Sequence, residues 1–314
     1  MSDAPAPGRK DHLYGGQAVL EGVMMRGADH WAVAVRRPDG ELHIESHEID
    51  SIGRRHPVLR KPFLRGVIVL GQSLAIGYRA LTVSAMQATE EDVRPSKGTM
   101  GISLAIAMVL FVGIFVAGPA ALFSWVQHRV GSGLLVNILE GVFRVALFIA
   151  YLVLIGRTKD IHRVFEYHGA EHKTIAAYEH GEKLEPEQVD RHSTIHVRCG
   201  TNFLIIVMVI TIFVFALFGS PGLWWRIGSR IIAIPVIAAV AYEALRLGAR
   251  FPNSTGMRGL MAPGLWMQKI TTQQPDRGQI DVAIASFNEV LRREAADEAP
   301  KPTTPEGVSD EGHA

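Results

Sequence analysis

The chain has one cysteine, Cys199, in 314 residues, so no intramolecular disulfide can form and no oxidising compartment is required. Surplus charge is missing as well. The 32 basic and 31 acidic residues leave a net charge of +1, without the basic excess of a nucleic-acid binder, so no nucleic-acid partner is expected. The first ten residues, rich in Pro and Ala, lack the apolar core of a signal peptide. Residues 1–12 are therefore expected to form a disordered tail. A second such tail is expected over 295–314, which is acidic and poor in aromatics. No phosphate-cradling loop is present, because Gly-rich Tyr14–Gly27 lacks the strand–loop–helix context that nucleotide binding requires.

What the chain has in quantity is apolar sequence, unevenly placed: 48% of residues are hydrophobic and mean hydropathy is +0.16. Met100–Val126 holds no charged residue over its whole length, more than the roughly 20 residues that cross a bilayer. Leu134–Ile155 is a second apolar segment, interrupted by Glu140 and Arg144, one turn apart, for which mutual pairing is the economical expectation. Phe203–Phe218 is a third and uncharged; Ile231–Leu247 is a fourth, with Pro235 inside it and Glu243 and Arg246 near its end. Together they predict a mostly α polytopic membrane protein of about four transmembrane helices, with the lipid bilayer as partner. Protein partners are not legible. Phe63–Met86, apolar but carrying Arg65, Gln72 and Arg79, is expected to be an amphipathic helix along the membrane or against other helices, with a full span as the weaker option.

The N-terminal part, 13–97, is expected to be a small β-containing region plus that helix. Trp31–Arg36 and Leu42–Ile49 alternate like strands around Pro38-Asp39-Gly40 and predict a hairpin. Tyr14–Gly27, punctuated by Gly15, Gly16, Gly22 and Gly27, suits tight turns. Spans over 98–156 and 203–247 then enclose a polar, His-rich segment, 157–202. The C-terminal segment, 248–294, holds a turn-rich piece, Phe251–Gly264, then Leu265–Thr272, then an amphipathic helix over Gln279–Arg293. Basic residues are dense in the N-terminal region and the His-rich segment, whereas the short connections hold only Arg129, Arg226 and Arg230. By the positive-inside rule both termini and the His-rich segment face the cytoplasm.

Six of the 13 histidines fall between His162 and His196. On a helix His168 and His172 share a face one turn apart, with Glu171 beside His168. His168-x-x-Glu171-His172 is the inverted zinc-peptidase motif, in which two imidazoles hold a divalent metal and the glutamate takes a proton from the attacking water. Five residues are a weak signal alone, but His192-x-x-x-His196-x-x-Cys199 in the same segment strengthens it. Zinc is the expected metal. A completing ligand is open among His192, His196, Cys199, Glu179 and Glu243. Three other readings compete: Cys199 as a nucleophile beside His196, a metal transporter or sensor, and a non-enzymatic scaffold whose polar clusters only hold the loop together. Transport is the least supported, because Glu140, Arg144 and Asn137 alone offer polar groups within the spans.

Four stretches, GGQAVLEGVMMRG, YHGAEHKTIAAYE, HVRCGTNF and PGLWMQKITTQQPD, make the chain resemble the YqhQ-like (DUF1385) bacterial membrane proteins, a family of unknown function. The resemblance runs from about Tyr14 to Leu291 and departs at Val197, where the family pattern carries proline. It implies a polytopic membrane protein and a predicted metal-dependent enzyme using the same His and Glu residues. Its substrate stays open.

Overall fold

Strand propensity and tight turns over the first fifty residues build a four-stranded antiparallel meander. Its strands are β1 (Gly15–Val19), β2 (Gly22–Arg26), β3 (His30–Arg36) and β4 (Leu42–Glu48), hydrogen-bonded in that order. The computed structural model describes residues 14–50, 61–90, 93–130, 133–196, 199–217, 223–250 and 254–298. The first expected tail and residues 299–314 lie outside these. The β3–β4 hairpin is as expected, with Gly40 at φ +88° in its turn. Expected turns over Tyr14–Gly27 are instead two strands joined through Leu20 and Glu21, and Glu21 adopts φ +50°. Close approach explains the glycines: a Cβ on Gly22 would strike the Ala34 carbonyl, and one on Gly16 would lie 2.7 Å from the Met24 oxygen.

The central strands are buried on both faces. On one side Met24, Trp31, Val33 and Val35 meet Ile76 and Ala80 of α1 (Leu64–Gln87). On the other, Val23, Met25, Ala32 and Ala34 meet Tyr167 and Ala170 of α5 (Lys159–Glu179) and Phe287, Val290 and Leu291 of α10 (Arg277–Glu298). The Val, Ile, Leu, Met and Phe side chains among these each contribute roughly 1.5–3 kcal/mol on burial. The last helix continues four residues into the expected C-terminal tail, because its apolar stripe keeps its face on the sheet.

The remaining helices are α2 (Lys97–Val112), a π-helical turn (Gly113–Ala117), α3 (Gly118–Val130), α4 (Gly133–Ile155), α6 (Pro186–Val189), α7 (Gly200–Leu217), α8 (Leu223–Arg250) and α9 (Thr255–Thr271). Among the described residues four helices are long and apolar enough to cross a membrane: Leu64–Gln87, Gly98–Gln127, Gly133–Ile155 and Ile227–Leu247. This is not the expected set of four. The Gly200–Ala216 helix is shorter, and α1 joins the group although Ile76, Gly77 and Ala80 are buried at the sheet. Its opposite face exposes Leu64, Val67, Leu74, Tyr78 and Leu81, an apolar stripe that fits the expected amphipathic role. The best window of Gly98–Gln127 buries none of its residues in the protein, an apolar surface of the kind that spans a bilayer. Phe251–Gly264, expected to be turn-rich, contributes most of its residues to α9. Gly264 there is a packing residue, since a Cβ on it would strike Asn202 of α7.

Glu140 and Arg144 pair at 2.6 Å as expected. Arg144 also donates to the carbonyls of Phe115 and Val116 in the π turn, whose wider turn displaces the usual backbone bonding. Asn137 donates to the Phe215 carbonyl at 3.0 Å and ties α4 to α7. Arg144→Ala is expected to remove the ion pair to Glu140 and leave two carbonyls without this donor, lowering stability by about 3 kcal/mol. Thermal unfolding in detergent checks this; an unchanged midpoint would show that the pair carries no load.

Candidate metal centre

Helix α5 starts at Lys159, only four residues after α4 ends at Ile155, so its histidines stay near the apolar bundle. Tyr167 and Ala170 face the sheet core. On the adjoining face His168 and His172 stand one turn apart, their rings 4.4 Å between centroids. Two passing segments fix these rings. After α9 the chain crosses α5, where the Gln273 amide donates to the Phe165 carbonyl at 2.9 Å. That crossing requires Gly169, since a Cβ there would strike the Gln273 carbonyl. It brings the Thr271 carbonyl to His168 Nδ1 at 2.8 Å. The second segment precedes α7. Gln268, fully buried, accepts from the His196 amide and donates to the His196 carbonyl, each at 2.8 Å. Held in this way, the segment sets the Thr194 carbonyl 2.6 Å from His172 Nδ1 and brings Cys199 Sγ to 3.2 Å from His168 Nε2.

A carbonyl only accepts, so both Nδ1 atoms carry the proton and both Nε2 atoms carry the lone pair. His168 Nε2 points at Cys199. His172 Nε2 is buried without any hydrogen-bond partner. The ligand atoms of His168, His172 and Cys199 lie within 4.8 Å of one another. Tetrahedral zinc holds such ligands about 3.4 Å apart, so a small contraction suffices. Burial pushes the Cys199 thiol upward, with partial relief from the Thr201 side chain and amide. Burial also holds His172 and His196 below the ordinary imidazole range, His172 further lowered by His168. Neutral imidazoles are the form that ligates a metal.

Glu171 is buried beside this cluster with Oε2 unpartnered. Burial raises its carboxyl to about 8, against the opposing effects of His168 and the Gly16 amide. The other proposed ligands are engaged elsewhere. His192 pairs with Glu182 at 3.0 Å and lies against the His180 ring. His196 borders the cluster, its ring 5.8 Å from that of His172, but its Nε2 is 3.2 Å from Glu179. Glu243 is bonded by Arg65. Gly16, Thr194, Gln268 and Thr271 were not legible as site residues. Three act through backbone atoms, and Gln268 lies seventy-two residues from the histidine it clamps.

A family model described as "Protein of unknown function (DUF1385)" matches residues 61–293, three-quarters of the chain. The chain belongs to the DUF1385 family. It is similar to the uncharacterized protein YqhQ of Bacillus subtilis (strain 168), 34% identical over 304 residues, covering 91% of this chain and 94% of that protein. No solved structure matches it. Every residue of the centre except Gly16 lies inside the stretch that defines this DUF1385 member.

The raised Glu171 carboxyl has a measurable consequence in metal-free protein. A folded-state value of about 8 above an ordinary unfolded value means the fold favours the protonated form, so stability falls as pH rises from about 4.5 to 8. Glu171→Gln removes that loss. Its melting temperature minus that of the native chain is expected to be larger at pH 8 than at pH 5; equal differences would count against a buried, protonated Glu171.

Proposed function

We propose that this DUF1385 protein is a membrane-embedded, metal-dependent hydrolase. His168, His172 and Cys199 would hold a divalent ion, and Glu171 would act as general base. The observation that carries this reading is the buried, unpartnered Nε2 of His172, on a ring whose other nitrogen is taken by Thr194 and which clusters with His168 and Cys199, one ligand atom from each lying within 4.8 Å of the others. An orphaned buried acceptor costs about 1–3 kcal/mol, and a metal ion removes that cost. Two imidazoles and a thiolate suit zinc, with a fourth position left for water or substrate. Bound there, the ion would polarise the scissile carbonyl and lower the pKa of water. Glu171 would accept the water proton and pass it to the leaving group. The carbonyls of Thr271 and Thr194 would keep both rings in the ligating tautomer. We place the centre at the cytoplasmic face, on the basic residues flanking the spans.

The Cys199–His168 contact also supports a thiol nucleophile oriented by the Thr271 carbonyl. That reading leaves His172 Nε2 and Glu171 Oε2 unexplained, and the metal reading accounts for both. A scaffold reading draws on the ion-paired His192 and His196.

Metal analysis of protein purified in mild detergent separates these. One equivalent of zinc is expected in the native protein and in His192→Ala, with at least tenfold weaker binding in His168→Ala, His172→Ala and Cys199→Ala. Equal metal content in all five would overturn the site. Loss of cellular function in Glu171→Gln with metal retained supports catalysis; full function would favour the scaffold.

A further inference from the structure

We propose that the outer edge of β1 is the substrate-binding strand of this centre, and that the substrate is an extended polypeptide whose backbone pairs with that edge beside Glu171. This rests on the hydrolase reading and names its substrate class. β1 is one of the sheet's two terminal strands. Its turn into β2 pairs Val19 with Gly22, so Val19, Gln17 and Gly15 direct their main-chain groups toward β2. Gly16 and Ala18 direct theirs outward. The β2–β3 ladder agrees: Glu21 and Gly27 bond across to β3, so Gly22, Met24 and Arg26 face β1. Among the described residues, the outward Gly16 carbonyl and both main-chain groups of Ala18 make no hydrogen bond. Gly16 is exposed while Glu171 against it is buried, and no atom lies within 4 Å of a Cβ built on Gly15.

The two edges of the sheet differ in chemistry. β4 carries Glu45, Glu48, His43 and His47, and Ser46 is tied to Glu289 of α10; charged edges of this kind resist strand addition. β1 reads GGQAV, with no charge, no proline and no bulge in its register. Among the described residues this uncharged edge offers unpaired main-chain groups at Ala18, one residue pair from a buried carboxylate, which suits a guest strand that ends at that carboxylate. Main-chain pairing supplies affinity for an extended chain of varied sequence. A guest strand bonded to Ala18 lies about 4.8 Å from β1 and advances about 3.3 Å per residue, so two residues on, about 6.6 Å along, it reaches Gly16, against which Glu171 packs. Glu171 takes a proton from water, the water oxygen bonds to the amide carbon, the C–N bond breaks, and the proton passes to the amine. One water is consumed and no redox partner is needed.

The test uses full-length, zinc-loaded protein in lipid nanodiscs, with quenched-fluorescent decapeptides and p-nitrophenyl acetate as probes. Peptide cleavage is expected in the native protein and absent in Glu171→Gln. Ala18→Pro deletes one outward N–H where an edge strand tolerates proline. It is expected to lower kcat/KM for peptides about tenfold, through KM, with zinc content retained. A second measurement needs no variant: N-methylation along a cleaved peptide is expected to impair turnover at every second amide. Native peptide cleavage by Ala18→Pro, or N-methyl sensitivity without that period, overturns the proposal. So does dissociation of a dimer by Ala18→Pro with cleavage unchanged, which assigns the edge to a second copy. Ester turnover without peptide cleavage overturns the substrate class and leaves the hydrolase reading standing. Absence of zinc and of both activities overturns the two together.

Discussion

Two hydrogen bonds from histidine Nδ1 atoms to main-chain carbonyls govern the centre. Without the Thr271 bond His168 could rotate, or place its proton on Nε2, where it would face Cys199 as a donor. Without the Thr194 bond nothing would determine which nitrogen of His172 carries its lone pair into the buried space. Both acceptors are backbone atoms, so the rings are oriented by the paths of two chain segments. Side-chain chemistry at Thr194 and Thr271 is secondary. The arrangement is therefore only as firm as the packing that fixes those paths.

That packing depends on close approach. Gly169 lets the segment after α9 cross α5, Gly264 lets α9 lie against Asn202 of α7, and Gly16 lets β1 lie against Glu171. Gln268 joins these contacts, since its amide clamps the His196 backbone and also donates to Asn202 Oδ1 at 3.3 Å. Three elements from different parts of the chain, β1, α5 and the α9–α7 pair, thus meet at one point. The helix bearing the histidines is held on one face by the sheet and on the other by the start of an apolar helix. A shift of either neighbour moves the donors.

Much of this architecture was legible in the sequence because its causes are local. The uncharged run over Met100–Val126 identifies a helix long and apolar enough to cross a membrane, alternation around Pro38-Asp39-Gly40 identifies the hairpin, and four-residue spacing puts His168 and His172 on one face. The failures share a different cause. Glycines at 16 and 22 suggested turns because sequence cannot distinguish a glycine needed for φ from one needed for proximity, and here it is proximity. The segment Phe251–Gly264 was expected to be turn-rich, yet packing on α7 sustains a helix from Thr255. Four-residue spacing was equally present at His192 and His196, but those rings went to Glu182 and Glu179, carboxylates whose positions depend on tertiary folding. Spacing measures what a helix can present, and 190–196 is a loop.

The strongest argument for chemistry at this point comes from how the rest of the chain treats buried polar groups. Arg144 satisfies Glu140 and two carbonyls of the π turn. Lys173, nearly enclosed, reaches both the carbonyl and carboxylate of Asp190. Glu294 accepts from Tyr14 and from the amides of Ala28 and Asp29. Among the described residues four buried side-chain atoms lack a hydrogen bond: His30 Nδ1, His43 Nε2, Glu171 Oε2 and His172 Nε2. The first two face a carboxylate oxygen at 3.5 Å and need only a small movement. The last two have no such neighbour, belong to consecutive residues, and border the same thiol and imidazole. A fold that satisfies its polar groups elsewhere has left an acceptor and a carboxyl oxygen open on consecutive residues, and under the proposed reading a metal ion would take the nitrogen and its bound water the carboxyl oxygen.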